Sequence, residues 1–473
     1  MKSAGKARNN GLYRHIRTSK EIIRNLLNDC NEKFKICRKR KRPGLMLVKP
    51  PKSKYNKNRL QCTKKRMLRR RKQVAEKRLR NGYTTGTCAA AAAKAAAAFL
   101  LCGKSDSDYS ELALPGGTVC RIPVTRYEPE QETESPAFCY FVQKDSGDDP
   151  DVTNGTKIYA SVRQVDRNEF ESLCHAGAGY YLKEYPQLYL NGGRGIGMVT
   201  KPGLSCPVGH YAINPVPRSM ILGAVADVVQ TAAFEEYLIV TIFIPEGEQL
   251  ALQTFNPKLG IQGGISVLGT TGIVKPMSEE ALLETIRLEI HMKAVNGAKV
   301  LLMAPGNYGE EFLKKELGVP MGSAVLCSNF VKEAVLMAEM EGFRKLLFVG
   351  HIGKLIKVSA GVENTHSRYG DGRMEQMAVL TKELGHPMLQ GQIRACNTTD
   401  DALALLKEQE LAKPLLDRTA LCVKHWMETW SGGQITVEAV TFSTAHHLLG
   451  TTENWQKAFD AWLKTSGRGK DSL

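Results

Sequence analysis

The sequence predicts a two-domain catalytic body of α/β and α+β class, with a mixed α+β part over residues 80–269 and a Rossmann-like parallel-sheet α/β domain over residues 270–473. Three observations predict it. Before Gly269, strand and helix patterns follow one another without regular alternation. After it, short runs of Val, Leu and Ile alternate with helical stretches, the rhythm of a parallel sheet. The third observation is where the charge lies. The 473 residues carry a formal net charge of +17, yet residues 1–80 hold 29 Lys and Arg against 4 Asp and Glu, a net of +25 that leaves −8 on the rest.

The first element, residues 1–79, contains the basic runs Arg38 to Arg42 and Arg69 to Lys72, with Pro43, Pro50 and Pro51 between them. It lacks the apolar residues for a core, so disorder is expected. Such an arm binds phosphates without sequence preference, but it has no aromatic interleaving, zinc spacing or helix-turn-helix pattern. Met67 stands close to the first motif, and the chain from there onward is expected to be the complete functional protein.

Next, Thr84-Thr85-Gly86-Thr87-Cys88 leads into alanines from Ala89 to Ala98, interrupted only by Lys94. Alanine has the highest helix propensity, which predicts a helix from Cys88 to Leu101 with Thr87 as N-cap and Gly103 as stop. Its start would attract anions. A thiol there can titrate low, which makes Cys88 a possible nucleophile to weigh against a small buried residue. Lys157–Val162 and Tyr237–Ile244 read as strands and Pro217–Ala233 as a helix. Beyond Gly269, Val300–Ala304, Ala324–Cys327, Lys345–Val349 and Thr436–Phe442 read as strands. A helix running through Glu316 and another over Val331–Met340 separate them. Ligands of an open parallel sheet bind outside the carboxyl ends of its strands, so the turns at Gly306, Ser328-Asn329 and Gly350 are expected to share one rim.

The twelve cysteines show no paired C-x-x-C, and no Cys/His cluster has zinc-like spacing, so neither a disulfide framework nor a protein-held metal is expected. No uninterrupted apolar stretch approaches membrane-spanning length and no secretory pattern opens the chain. A cytoplasmic protein is expected.

Among motifs with chemical content, Gly350-His351-Ile352-Gly353-Lys354 places two residues where a nucleotide-binding P-loop needs four, and Leu355 follows instead of Ser or Thr. Gly193-x-Gly195-x-Gly197 after Leu188-Tyr189-Leu190 is similar to the S-adenosylmethionine loop of ordinary methyltransferases, although Pro202 opposes the helix that should follow. It reads as a ligand-facing loop. Asp148, Asp149 and Asp151 crowd around Pro150, either as a solvated turn or as a source of a proton acceptor. His351 and His366 occupy turns and lack metal-ligand spacing.

These strings occur in a fixed order: Lys144 to Thr153, Gly192 to Gly203, Ala212 to Arg218, Thr254 to Ser266, Gly269 to Val274, Gly306 to Gly309, and Gly350 to Lys354. From about Arg80 to Phe442 the chain resembles the cobalt-precorrin-5B C1-methyltransferase (CbiD) family. The resemblance implies methyl transfer from S-adenosylmethionine, as co-substrate, to C1 of a tetrapyrrole, in anaerobic cobalamin biosynthesis. Cobalt enters only as part of that substrate. Together with the motifs, it makes Asp148, Asp149 and His351 the expected catalytic residues. Thr84, Thr85, Gly86, Thr87, Lys94, Gly193, Gly195, Lys201, Arg218, Gly306, Asn307, Gly309, Gly350, Gly353, Lys354 and His366 are the expected substrate or cofactor contacts. Lys275, Arg368 and Arg373 are further cations for a carboxylate-fringed ring. Membrane and nucleic-acid partners are not expected, and a homo-oligomer is left open. One rival reading is a nucleic-acid-binding protein acting through the arm. Another is a different precorrin-processing enzyme, against which stands the lack of a Ser-His-Asp arrangement or a G-x-G-x-x-G fingerprint.

Overall fold

The alanine run forms helix α1, Thr85–Cys102, in a computed structural model that describes residues 79–103, 108–128 and 138–465. The basic extension, expected to be disordered, lies outside the described residues up to residue 78. The helix starts three residues earlier than expected and its N-cap is Thr84, not Thr87. Thr84 has extended backbone, φ −74° and ψ 161°, and its hydroxyl accepts the Thr87 N–H at 3.3 Å. Thr87 is buried instead, and its hydroxyl donates to Gly272 O at 2.8 Å. Gly103, left-handed at φ 64°, ends the helix as expected.

Though interrupted by Lys94, α1 is long and apolar enough to cross a membrane by length and composition. Here it is the spine of the N-terminal half, with Ala89 to Ala93, Ala96 and Ala97 wholly inaccessible. It lies on a six-stranded sheet of β1 (Thr125–Tyr127), β2 (Phe138–Gln143), β3 (Lys157–Val165), β4 (Tyr180–Tyr181), β5 (Leu188–Gly192) and β6 (Tyr237–Phe243), in spatial order β1-β2-β3-β6-β5-β4. Only β5 and β6 run parallel. Helix α2, Pro215–Thr231, opens on Pro at its first position and packs beside α1. Side chains that carry only a methyl group let the two helices approach closely. Alternation along β6 sends Leu238, Val240 and Ile242 to the helices and Ile239 to the opposite face, with Tyr189 and Phe170.

The second half contains α3 (Glu279–Val295), β7 (Leu301–Ala304), α4 (Asn307–Leu317), β8 (Val325–Leu326), α5 (Val331–Met340), β9 (Lys345–His351), α6 (Ile352–Val358), α7 (Ala412–Trp430), β10 (Thr436–Ser443), β11 (Leu448–Thr451) and α8 (Trp455–Thr465). The strands lie in the order β8-β7-β9-β10-β11. The first four are parallel, and β11 closes the edge antiparallel. Leu301, Met303 and Phe348 face α3, α5 and α7, whereas Leu302, Leu347 and Phe442 face Leu313 of α4 and Trp462 of α8. Helices therefore cover both faces, and the described chain is mixed α/β. The halves are stitched together where Gly82–Tyr83 pairs antiparallel with Ile273–Val274 and the Met277 N–H donates to Asp149 Oδ1 at 2.9 Å.

Candidate functional site

The three turns expected to share a rim do so. Lys354, in the first turn of α6, donates to Pro305 O behind β7 and to Ser328 O behind β8, the latter at 3.2 Å. Burial pulls its ammonium below the ordinary lysine range, the buried Cys327 thiol raises it in part, and Lys357 lowers it further. Gly353, Lys354 and His366 border a polar cleft of about 360 Å³ with Asn329, Lys357 and Arg373. Asn307 and Gly309 are not in a turn, as expected, but in the first turn of α4, after Gly306 at φ 148°. Gly309 and Gly350 are close-packed: a Cβ on Gly309 would lie 2.7 Å from Val349 O, and one on Gly350 2.3 Å from Leu355. His351 caps α6, its Nδ1 accepting the Gly353 N–H at 3.1 Å, and sits between the rings of Tyr308 and Phe442. His366 likewise accepts the Arg368 N–H.

The acidic turn divides its work. Asp148 accepts the Arg80 N–H at 2.7 Å and Asp149 the Met277 N–H at 2.9 Å, so both expected proton acceptors tie down backbone. Asp145 pairs with the Arg80 guanidinium. Asp151 differs. One of its oxygens receives Lys144 Nζ at 2.5 Å and Ser146 Oγ at 3.2 Å, the other the Thr153 N–H and hydroxyl at 2.8 and 2.7 Å. The Lys144 side chain is only 1% exposed, that of Asp151 25%. Burial works to raise the Asp151 carboxyl, but the Lys144 bond and charge and the Thr153 bonds prevail and hold it below the usual range. It is a fixed carboxylate.

Asp151 borders a cleft of about 650 Å³, the most capacious of those described, together with Val152 and Thr153, Gly203 to Cys206, Ala212 and Asn214, Thr254 to Asn256, Ile261, Ile265, Ser266 and the first turn of α1 at Thr85. Segments from Thr85 to Ser266 thus converge on one cavity. Its wall opposite is α3, where Arg287 pairs with Glu284 and His291 with Glu341. Asn256 accepts the Ser266 hydroxyl at 3.1 Å, and its amide donors make no hydrogen bond among the described residues.

Other expected contacts lie elsewhere. Gly193 and Gly195 border none of these clefts. Gly195 is spent on backbone packing, a Cβ there falling 1.7 Å from Ile244 O. Lys94 donates to Glu111 O at 3.0 Å beside a separate cleft between α1 and α2. Arg218 lies 3.5 Å over the Tyr180 ring and bonds Ile213 O and Cys206 Sγ. Arg368 pairs with Glu279 and Arg373 with Asp371. At the start of α1 the amides of Gly86, Thr87 and Cys88 are already taken by Leu268 O, the Thr84 hydroxyl and Thr84 O, which leaves them nothing to offer an anion. Burial pushes the Cys88 thiol up to about 12, against a nucleophilic role; Lys144 lowers it only in part. Asp151 and Asn256 were missed as individual residues. The signal for Asp151 was Lys144, a lysine directly after the mostly apolar strand Phe138–Gln143, where burial asks for a counter-charge.

Comparison with known proteins adds a family. Residues 72–276 match the family model described as CbiD, and residues 364–453 match that described as CbiD, C-terminal domain. A protein named cobalt-precorrin-5B C(1)-methyltransferase from Ruminiclostridium cellulolyticum is 41% identical over 380 residues, 79% of this chain and 91% of that one. One of the same name from Fusobacterium nucleatum is 40% identical over 386 residues, 81% and 98% of the two chains. A crystal structure of cobalamin biosynthesis protein (cbiD) from Archaeoglobus fulgidus is 25% identical and covers 64% of this chain and 84% of that one, at a TM-score of 0.32.

Proposed function

We propose, because the chain belongs to the CbiD family, that it transfers the methyl group of S-adenosylmethionine to C1 of cobalt-precorrin-5B, giving cobalt-precorrin-6A and S-adenosylhomocysteine in cobalamin biosynthesis. The observation that carries this reading to a place is the convergence of four of the family-like strings, beginning at residues 144, 192, 212 and 254, on the cleft of about 650 Å³. A sulfonium already activates its methyl group. The protein's task is to hold a ring carbon in line with it, and alignment alone removes several kcal/mol of barrier.

Ile261, Ile265, Leu268 and Phe255 offer an apolar wall for a flat macrocycle. Asn256, with unspent amide donors beside Ser266, fits the hydroxyl and carboxylate groups of a nucleoside-bearing amino acid. Asp151, ionised and saturated with donors, is a poor proton acceptor. Its role is electrostatic, opposing the positive charge that builds on the ring as the methyl arrives. On this reading residues 80–269 and a Rossmann-like domain over 270–473 act as the two walls of a cytoplasmic enzyme that needs no nucleic acid. Asp148 and Asp149 position the turn from behind.

The test is single-turnover transfer of isotopically labelled methyl to cobalt-precorrin-5B, with the product carbon identified by NMR. Asp151→Asn should slow the step by roughly 10²- to 10³-fold, and Asp149→Asn by far less. Label at another ring position, or an Asp151→Asn rate equal to wild type in folded protein, would reject the assignment.

A further inference from the structure

Next to the wide cleft, and sharing Leu259 with it, lies a second one of about 520 Å³ between the Asn256-to-Gly260 string and the C-terminal half. Lys201, Lys258 and Lys293 border it, in a body whose overall charge is negative. Two glycines set the course of two of these lysines. A Cβ on Gly260, φ +77°, would lie 2.7 Å from Lys201 Cγ, and one on Gly322, φ +81°, 2.9 Å from Lys258 Cε. Each lysine stem runs across a position where only glycine leaves room. A third contact fixes the same junction: Asn296 of α3 donates to Pro202 O at 3.3 Å.

For Lys201 and Lys258 the counter-charges are few and recessed. Lys258 stands 4.0 Å from Glu310, which is nearly buried and accepts the Gly322 N–H, while Lys201 makes no ion pair or hydrogen bond among the described residues. Glu289, the acidic residue on the wall itself, has its carboxyl raised by burial, with Lys258 and Lys293 opposing. Pro257, Leu259, Met292 and Met321 set apolar surface among the cations. Cations spaced along an apolar wall recognise an amphipathic polyanion rather than a small inorganic one.

We infer that this second cleft is a carboxylate subsite, in which Lys201 and Lys258 receive acidic side chains at the periphery of a flat ring whose reacting edge occupies the wide cleft beyond Leu259. The inference rests on the reading proposed above for the wide cleft. It assigns the ring's orientation, carboxylate-rich edge toward the C-terminal half, and makes these lysines positioning residues.

The experiment uses the full chain with Lys201→Met and Lys201→Met/Lys258→Met, which keep most of the stem over each glycine and remove the charge. Titrations follow cobalt-precorrin-5B in single turnover, uroporphyrin as a non-reacting carboxylate-fringed ring, and S-adenosylhomocysteine by calorimetry. Each substitution deletes one charge-assisted bond to the ring, which should weaken ring binding roughly tenfold in the single variant and roughly a hundredfold in the double. S-adenosylhomocysteine affinity and melting temperature should stay near wild type. Unchanged affinity for both rings, or equal loss of S-adenosylhomocysteine, overturns the subsite. Failure of the wild type to methylate C1 would instead strike the proposed function, and the uroporphyrin titration would still decide the subsite. If loss of the Glu310 partner unfolds the double variant, Lys201→Met decides alone.

Discussion

The two glycine-rich strings, Gly192 to Gly197 and Gly350 to Lys354, put the same residue to opposite uses. At Gly195 the backbone itself is the close neighbour: virtual Cβ atoms on Gly247 and Gly264 both fall 2.2 Å from Gly195 O, and one on Gly195 falls 1.7 Å from Ile244 O. At Gly353 nothing lies nearer than 3.3 Å, and the residue opens onto a cleft. Glycine marks a close approach in both strings. At Gly195, as at Gly350, the chain makes that approach; at Gly353, space is left for something else.

The sharpest way to break this comparison is to add side chains at both positions. Gly195→Val demands a left-handed β-branched residue inside a three-way backbone contact, so a loss above about 3 kcal/mol, read as insoluble protein or a collapsed urea midpoint, is expected. Gly353→Ala should cost under about 1 kcal/mol. Similar midpoints for the two would dissolve the contrast.

A smaller effect tests whether the rim is held together by Lys354. Lys354→Met strips a donor from Pro305 O and Ser328 O, and a loss of about 1–3 kcal/mol is expected, with hydrogen exchange rising at both turns. Thr84→Ala, which removes the cap of α1, should cost about 1 kcal/mol. Thr84 also fills the space beside Gly269, so a cost well above that would show the residue acting mainly as packing.

The least effect is a pH dependence. Burial lowers the His351 imidazole below its ordinary value of 6.5, with Asp400 opposing. The unfolded chain therefore takes up the proton first. The stability contributed by the neutral ring is whole above about pH 6.5 and is lost as the pH falls from there toward the folded value. Melting temperature should decline from about pH 7.5 to 5.5, and His351→Asn, which retains an N-cap acceptor, should flatten that slope. A slope unchanged in the variant would assign the acid sensitivity elsewhere.

Strand and helix positions were readable in the C-terminal half because period and order both spoke. Val331–Met340 came out to the residue, and the shared rim followed from topology alone. The start of α1 was misplaced because three threonines compete for one cap. The choice fell to Gly272, distant in sequence, which takes the Thr87 hydroxyl. The site was less legible still. Asp148, Asp149 and Asp151 have equal claims as residue types. What separates them is the partner each meets: Arg80, Met277 or the buried Lys144. Those partners come from different elements, and local pattern carries no record of them.

The pairing of Gly82–Tyr83 with Ile273–Val274 also bears on how the chain is made. The first strand leaves the ribosome about 190 residues before its partner, a wait of roughly 10–40 s at ordinary elongation rates. For most of that wait α1 can coil on its own propensity but has no α2 to cover it, and Gly272 comes only at the end. A leucine-rich helix exposed for so long would invite aggregation. A spine of alanines presents little adhesive surface while it waits, and so the composition that permits close packing in the finished protein also protects the nascent one.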